Sequence, residues 1–291
     1  MIPLRTVLCP VDFSPATSRQ VDVAADLCRA FGARLVLHHN LLSMGAVASV
    51  GWMYHADHPP GSPEQVEARL REHLARVSNG LDTEARITQG PSSQTVLKEI
   101  EAVDADLIVL STHGKAADDH ASVTEQVLAS AGRSVLVLHE ERVEHHTPHF
   151  ASGAGEQQIV LAPTDLTPES HAAVRMAVDL ARRLNVELHL LHLLPVGSHK
   201  RSDYEGLAAQ ARQELVALIP DDLASRVRLH IEDGDAAKGI VRVAEAIGAD
   251  CIVMGEHTRA PVRRWLSKDT SRAVLREAPC PVWYIPGSSH A

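Results

Sequence analysis

The chain alternates short apolar runs with longer segments of helical spacing, and it does so twice. In the first half Val7–Pro10, Leu35–Leu37, Ala85–Thr88, Leu107–Leu110 and Val135–Leu138 are apolar runs of strand length. The segment ending at Phe31 carries Val21, Ala24, Ala25, Leu27 and Cys28 at helical spacing, with Ser14 or Thr17 as candidate caps and Gly32 as a stop signal. Glu64–Val77 reads as a charged amphipathic helix, and Ser92–Val103 and Thr124–Ala131 as two further helices. The second half follows the same order, from a strand at Ile159–Ala162 to one at Val282–Ile285.

The two halves also agree residue by residue, as an internal duplication requires. TVLCPVDFSPAT from Thr6 aligns with IVLAPTDLTPES from Ile159, so Pro10 falls on Pro163, Val11 on Thr164 and Asp12 on Asp165, at an offset of 153. His39 falls on His192 at the same offset; later the offset is 144, and Gly90 falls on Gly234, Asp106 on Asp250 and His113 on His257. The first copy therefore holds nine more residues, expected in the Gly-, His- and Pro-bearing loop Ser43–Ser62. Polar Glu140–Gln157 reads as a connection. The expected organisation is one domain over 1–140, a linker over 141–156 and a second domain over 157–287.

Short buried strands alternating with helices predict an α/β fold. Each copy becomes a doubly wound, five-stranded parallel sheet with helices on both faces, joined by right-handed crossovers. Ligands of such sheets bind beyond the carboxyl ends of the strands, where the strand order reverses. That rule selects Asp12, His39, Gly90 and His113 in the first copy and Asp165, His192, Gly234 and His257 in the second.

Composition narrows the partners. The net charge is −9 with His neutral, and no basic face is visible to meet a nucleic-acid backbone, while a single small anionic ligand stays open. Aromatic residues make up only 3%, so both cores must be built from Ala, Val, Leu and Ile. Cys9, Cys28, Cys251 and Cys280 form no CxxC pair and read as free thiols of a reducing cytoplasm. No secretory signal pattern and no apolar run near the ~20 residues of a membrane span is found.

The residues after the strands resemble the universal stress protein family. The resemblance rests on the P-V-D and P-T-D strand ends, a third strand ending in Gly, and Ser111-Thr112-His113-Gly114 after the fourth strand. The closing run Leu275-Arg-Glu-Ala-Pro-Cys-Pro-Val282 is its most specific element. The resemblance implies a stress-linked, often dimeric protein, either binding ATP or not, whose two repeats pack as a pseudo-dimer through Val135–Leu138 and Val282–Ile285. A further homodimer is compatible with it. It also implies Pro10, Val11, Asp12, Ser111, Gly114 and Ser122 as ligand contacts of the first copy, and Pro163, Thr164, Asp165, Met254 and Gly255 as those of the second.

ATP-binding members close a glycine loop after the fourth strand, G-x-x-G, nine residues, then G-S or G-T. Such glycines let backbone N–H groups approach phosphate oxygens. Here both loops depart from that pattern. The first has Gly114 but Ala117 at the second glycine, a shortened Lys115–His120, two carboxylates at Asp118 and Asp119, and Ala121-Ser122 at its close. The second has Thr258 and Pro261 in place of the glycines and Lys268-Asp269 at its close. Arg259, Arg263, Arg264 and Lys268 cluster there, however, and guanidinium side chains can hold an anion where a backbone cradle is lost.

Remaining chemistry is sparse. Asp12 and Asp165 have a plain alternative role, accepting backbone N–H groups of the turn that follows. Eighteen histidines include His38-His39, His55 with His58, His113 with His120, and His145-His146 with His149, but no HExxH spacing, and no metal site is assigned. Neither a G-x-S-x-G elbow nor a Walker loop occurs. The leading expectation is a non-enzymatic binding or scaffold protein of the stress response with degenerate nucleotide sites in both copies. The alternatives are an ATP-binding protein using mainly the second copy, with slow hydrolysis, or a carrier of another small ligand.

Overall fold

The structure is a computed structural model that describes residues 4–41, 62–112, 123–139, 150, 157–168, 170–184, 186–195, 197, 203–256 and 268–286. In the first repeat β1 (Thr6–Pro10) leads through α1 (Thr17–Phe31) to β2 (Arg34–Leu41). There follow α2 (Pro63–Val77), β3 (Thr83–Gln89), α3 (Ser92–Ala102), β4 (Leu107–Thr112), α4 (Val123–Ser130) and β5 (Ser134–His139). The second repeat runs β6 (Gln158–Pro163), α5 (His171–Arg183), β7 (Val186–Leu194), α6 (Tyr204–Ala217) and a 3-10 turn at Asp221–Arg226. It continues with β8 (Val227–Asp233), α7 (Ala236–Ile247), β9 (Cys251–Glu256), α8 (Lys268–Glu277) and β10 (Val282–Pro286). By compactness the chain divides inside β5, between Val135 and Leu136.

Strand pairing follows the doubly wound plan in both repeats. β1 pairs in parallel with β2 on one side, Thr6 opposite Arg34, and with β4 on the other, Val7 opposite Leu107. β3 lies outside β2. In the second repeat β6 pairs with β7 and with β9, β8 lies outside β7, and β10 pairs with β9. The order therefore reverses between β1 and β4, and again between β6 and β9. The central strands are buried on both faces: Val7, Leu8, Cys9, Ile108 and Val109 in one repeat, Val160, Leu161, Ile252 and Val253 in the other.

Local sequence explains the helices. Val21, Ala24, Ala25 and Cys28 line the buried side of α1, which stops at Gly32 in the left-handed region, φ 68°. Residues with a Cβ resist that conformation, whereas glycine adopts it freely. α2 begins with a capping box between Ser62 and Gln65, has Pro63 in its first turn, and buries Val66, Leu70, Leu74 and Val77. One expectation is corrected here: neither Ser14 nor Thr17 caps α1. Ala16 holds the cap position without a side-chain bond, and the Thr17 hydroxyl donates instead to Asp12. The loop near 43–61, where the first copy's extra residues were expected, lies outside the described residues.

A matched pair of carboxylates locks the central strands. Asp106 Oδ2 accepts from the Arg5 and Thr6 amides at 2.8 and 3.0 Å, while its own amide donates to the Thr6 carbonyl. Asp250 repeats this with Ile159, at 2.8 Å in both directions. Each Asp, just before the fourth strand of its repeat, fixes the register against the first. Its recurrence was visible in the sequence; this long-range purpose was not.

Candidate functional site

The turn after the first strand is built alike in both repeats. Asp12 Oδ1 accepts from the Ser14 amide at 2.9 Å, and Asp165 Oδ1 from the amide and hydroxyl of Thr167 at 3.0 and 2.6 Å. Between each Asp and the residue that donates to it stands a non-glycine residue in the left-handed region, Phe13 at φ 61° and Leu166 at φ 62°. A side chain held there costs about 1–2 kcal/mol. The carboxylate bonds offset that cost. Both aspartates thus perform the turn role that the sequence allowed them.

The paired histidines brace the same turn. His39 Nδ1 donates to the Val11 carbonyl at 2.7 Å and His192 Nδ1 to the Thr164 carbonyl at 2.9 Å. A carbonyl can only accept, so the bond fixes the ring proton on Nδ1 in the neutral form. Burial holds the His39 pKa below its ordinary value against the opposing pull of that carbonyl and of Asp12. Among the described residues no group of three or more His, Cys, Asp or Glu side chains is arranged to hold a metal ion.

At the carboxyl ends of β6 and β7, under the start of α7, the second repeat has a small crevice. Pro163, Thr164, Asp165, Leu191, Leu193, Ala236 and Ile240 line it. α7 comes unusually close there because Gly239 has no side chain: a Cβ on it would stand 2.7 Å from Leu193 Cδ2. The walls are apolar, and the polar rim is the Thr164–Asp165 turn. Sequence reasoning selected the rim and missed Leu191, Leu193, Ala236, Gly239 and Ile240, which read as ordinary core residues.

The same positions of the first repeat carry different chemistry. His38 and Asn40 stand where Leu191 and Leu193 stand, and Ser92 where Ala236 stands. His38 Nε2 lies 2.7 Å from Thr88 Oγ1, and Asn40 Nδ2 donates to the Gly90 carbonyl at 2.8 Å and to Ser92 Oγ at 3.3 Å. Deeper in, buried Gln20 donates from Nε2 to the Pro10 carbonyl at 2.7 Å and to the Val109 carbonyl at 2.8 Å, bridging β1 and β4 where they part. Its counterpart is Ala173, which cannot reach either strand. The sequence signal available was the replacement of apolar residues of one copy by polar residues of the other at these aligned positions, Gln20 for Ala173 among them.

The remaining candidates divide clearly. Gly90 and Gly234 turn the chain out of β3 and β8 with φ of 148° and 144°, a region glycine alone enters readily. Met254 and Gly255 are buried within β9, opposite Tyr284 and Ile285 of β10, and Ser111 is half-buried near the end of β4. His113, Gly114 and Ser122, together with His257, Arg259 and Arg263, lie outside the described residues; Lys268 opens α8.

Comparison with known proteins gives the family and the fold. The model of the universal stress protein family matches residues 3–139 and again 157–286. A universal stress protein of Methanocaldococcus jannaschii is 27% identical over 46% of this chain and 85% of its own length. One of Mycobacterium tuberculosis is 28% identical over 62% of this chain, which spans 61% of that relative. A crystal structure of a universal stress protein from Archaeoglobus fulgidus shares the fold over 97% of this chain and 98% of its own, with a TM-score of 0.68 and 18% identity.

Proposed function

Since the chain belongs to the universal stress protein family, in two tandem copies, we propose that it is a non-enzymatic binding protein of the stress response with one ligand crevice, in the second repeat. The observation that carries this reading is the contrast between the two crevices. In the second, Leu191, Leu193, Ala236 and Ile240 offer an apolar slot beside a polar turn. In the first, His38 and Asn40 occupy the positions of Leu191 and Leu193 and are hydrogen-bonded to the protein itself, as is Gln20 deeper in, at the position of Ala173. A ligand entering the first repeat must break those bonds, and a buried group left unpaired costs about 1–3 kcal/mol.

The crevice is only about 10 Å³, so a ligand that seats a small apolar edge in it and keeps an anionic tail outside suits the second repeat. The sequence places Arg259, Arg263, Arg264 and Lys268 directly after β9, and guanidinium groups favour phosphate or carboxylate. ATP meets that description, yet Thr258 and Pro261 replace the glycines of the family's phosphate loop, so weak retention of a triphosphate is the expectation. The cytoplasmic location, the pairing of the repeats through their fifth strands and a further homodimer belong to the same proposal. Four free, buried cysteines support the first of these. No helix among the described residues is long and apolar enough to cross a membrane.

Native mass spectrometry of the purified chain, followed by calorimetry with the ligand recovered and with ATP, tests the reading. One ligand per chain is expected, with affinity at least about tenfold weaker in Leu193→Asn, which gives the second crevice the residue of the first; about 1.4 kcal/mol corresponds to that factor. Two equivalent ligands per chain, or an affinity untouched by Leu193→Asn, would overturn it.

A further inference from the structure

On the sheet face that carries Leu191 and Leu193, β7 meets edge strand β8 through two imidazoles. His230 Nε2 lies 2.9 Å from His189 Nδ1. The ring centroids are 5.0 Å apart and the planes differ by 20°. Face-to-face rings would hold their atoms at least about 3.5 Å apart, so a 2.9 Å nitrogen contact between near-coplanar rings is an edge-to-edge N–H···N hydrogen bond. The rest of the chain of contacts orients it. Glu187 Oε1 stands 3.5 Å from His189 Nε2 and is itself held by Arg228 Nε at 3.0 Å. At 3.5 Å the carboxylate makes no hydrogen bond to Nε2, but its charge favours a facing N–H over a lone pair, which puts the His189 proton on Nε2 and leaves Nδ1 to accept from His230. On the far side Glu232, ion-paired with Arg242 of α7, is the carboxylate next along β8.

We infer that His189 and His230 form a one-proton site that acts as an acid-sensitive latch between β7 and β8. The first added proton goes to His230 Nδ1. The resulting imidazolium still donates from Nε2 to His189 Nδ1, and a charged donor makes that bond stronger. A second proton has only His189 Nδ1 left. Two N–H groups then face each other across the same gap, the bond is lost, and two like charges adjoin at the sheet edge. Burial, and for His189 the neighbouring His230, already keep both rings less basic than free imidazole; Glu187 and Glu232 pull the other way, and Arg228 opposes protonation of His189.

The first repeat has no such pair: Val36 and Arg86 replace the two histidines, and Arg86 is ion-paired with Glu84 and the buried Glu99. Opening of the latch therefore acts on the second repeat alone. Where the crevice proposed above is the ligand site, Leu191 and Leu193, two and four residues further along β7, connect the latch to it; the test below needs no ligand and stands apart from that reading.

Nitrogen-detected NMR of the imidazoles in the full chain, with amide hydrogen exchange from pH 8 to pH 4.5, tests the latch. We expect two separated proton-uptake steps for the pair, the first strengthening the His189–His230 coupling. The second should speed exchange of the Leu229 and Ile231 amides about tenfold beyond the intrinsic change, the factor matching one lost hydrogen bond. His189→Val and His230→Arg, each the residue of the first repeat, should leave the remaining ring titrating in one step and abolish the acid-dependent exchange. Identical independent titration of the two rings in the unaltered chain, or acid-dependent exchange persisting in both variants, overturns the inference.

Discussion

Acid should weaken the first repeat through His38. This ring is 1% exposed and lies 2.7 Å from Thr88 Oγ1 through Nε2, while Nδ1 is buried with no hydrogen-bond partner among the described residues. Protonating Nδ1 would bury a charge and an unsatisfied donor together. Burial above all, then the charges of His39 and Arg86, lower its pKa from 6.5 to about 4. The folded state therefore binds fewer protons than the unfolded chain between these two values, and stability rises with pH across that window. The sign is that of a depressed histidine: the contribution is whole above pH 6.5 and is lost as pH falls toward 4. At about 1.4 kcal/mol per pKa unit the loss is about 3 kcal/mol, a sizeable share of the roughly 5–15 kcal/mol that holds a domain together. His38→Leu installs the residue found at Leu191 and removes the titration. Urea unfolding of both proteins at pH 7 and pH 4 should show a gap that closes or reverses by about that amount in favour of the variant at the lower pH. Parallel loss of stability in the two proteins, or an NMR titration placing His38 near 6.5, would refute the reasoning.

Other outcomes follow from the same geometry. Asp250→Ala should lower stability by about 1–2 kcal/mol, because the part-buried Ile159 amide loses a charged acceptor; Asp106→Ala should do the same in the first repeat, both read by denaturant melts. Gly234→Ala should cost about 1–3 kcal/mol although the space beside it is open, since φ of 144° suits glycine alone. Gly239→Ala should by contrast change stability by less than about 1 kcal/mol, because the helix gains what the displaced Leu193 tip loses. The Leu193 tip should then narrow the crevice, and ligand retention should fall. A disulfide reagent should label none of the four cysteines in the folded chain at neutral pH and all four after unfolding. All are buried, and burial pushes the Cys28 thiol up to about 12 and the other three well above their ordinary value.

Much of the architecture was legible because it is written in short-range periodicity. Strand-length apolar runs, helical spacing and stop signals such as Gly32 depend on residues a few positions apart. The rim of the site was legible too, since Asp12 and Asp165 act on the next turn. The walls were not. Leu191 and Leu193 look like any strand residue, and Gly239 like an unfavourable choice within a helix, until α7 is set against β7. Loops 113–122 and 257–267, where the sequence pointed to phosphate chemistry, remain with the sequence alone.

By itself the amino-acid order determined that this protein is one α/β plan used twice, with an Asp-bearing turn after the first strand of each copy. Only the tertiary structure decided how the walls beside those turns differ between the copies. Gln20 finds the Val109 carbonyl 89 positions away, Asn40 finds Gly90 at 50, and His189 finds His230 at 41. A hydrogen bond depends on distance in space, and a sheet that reorders its strands brings together groups whose separation along the chain carries no trace of their meeting.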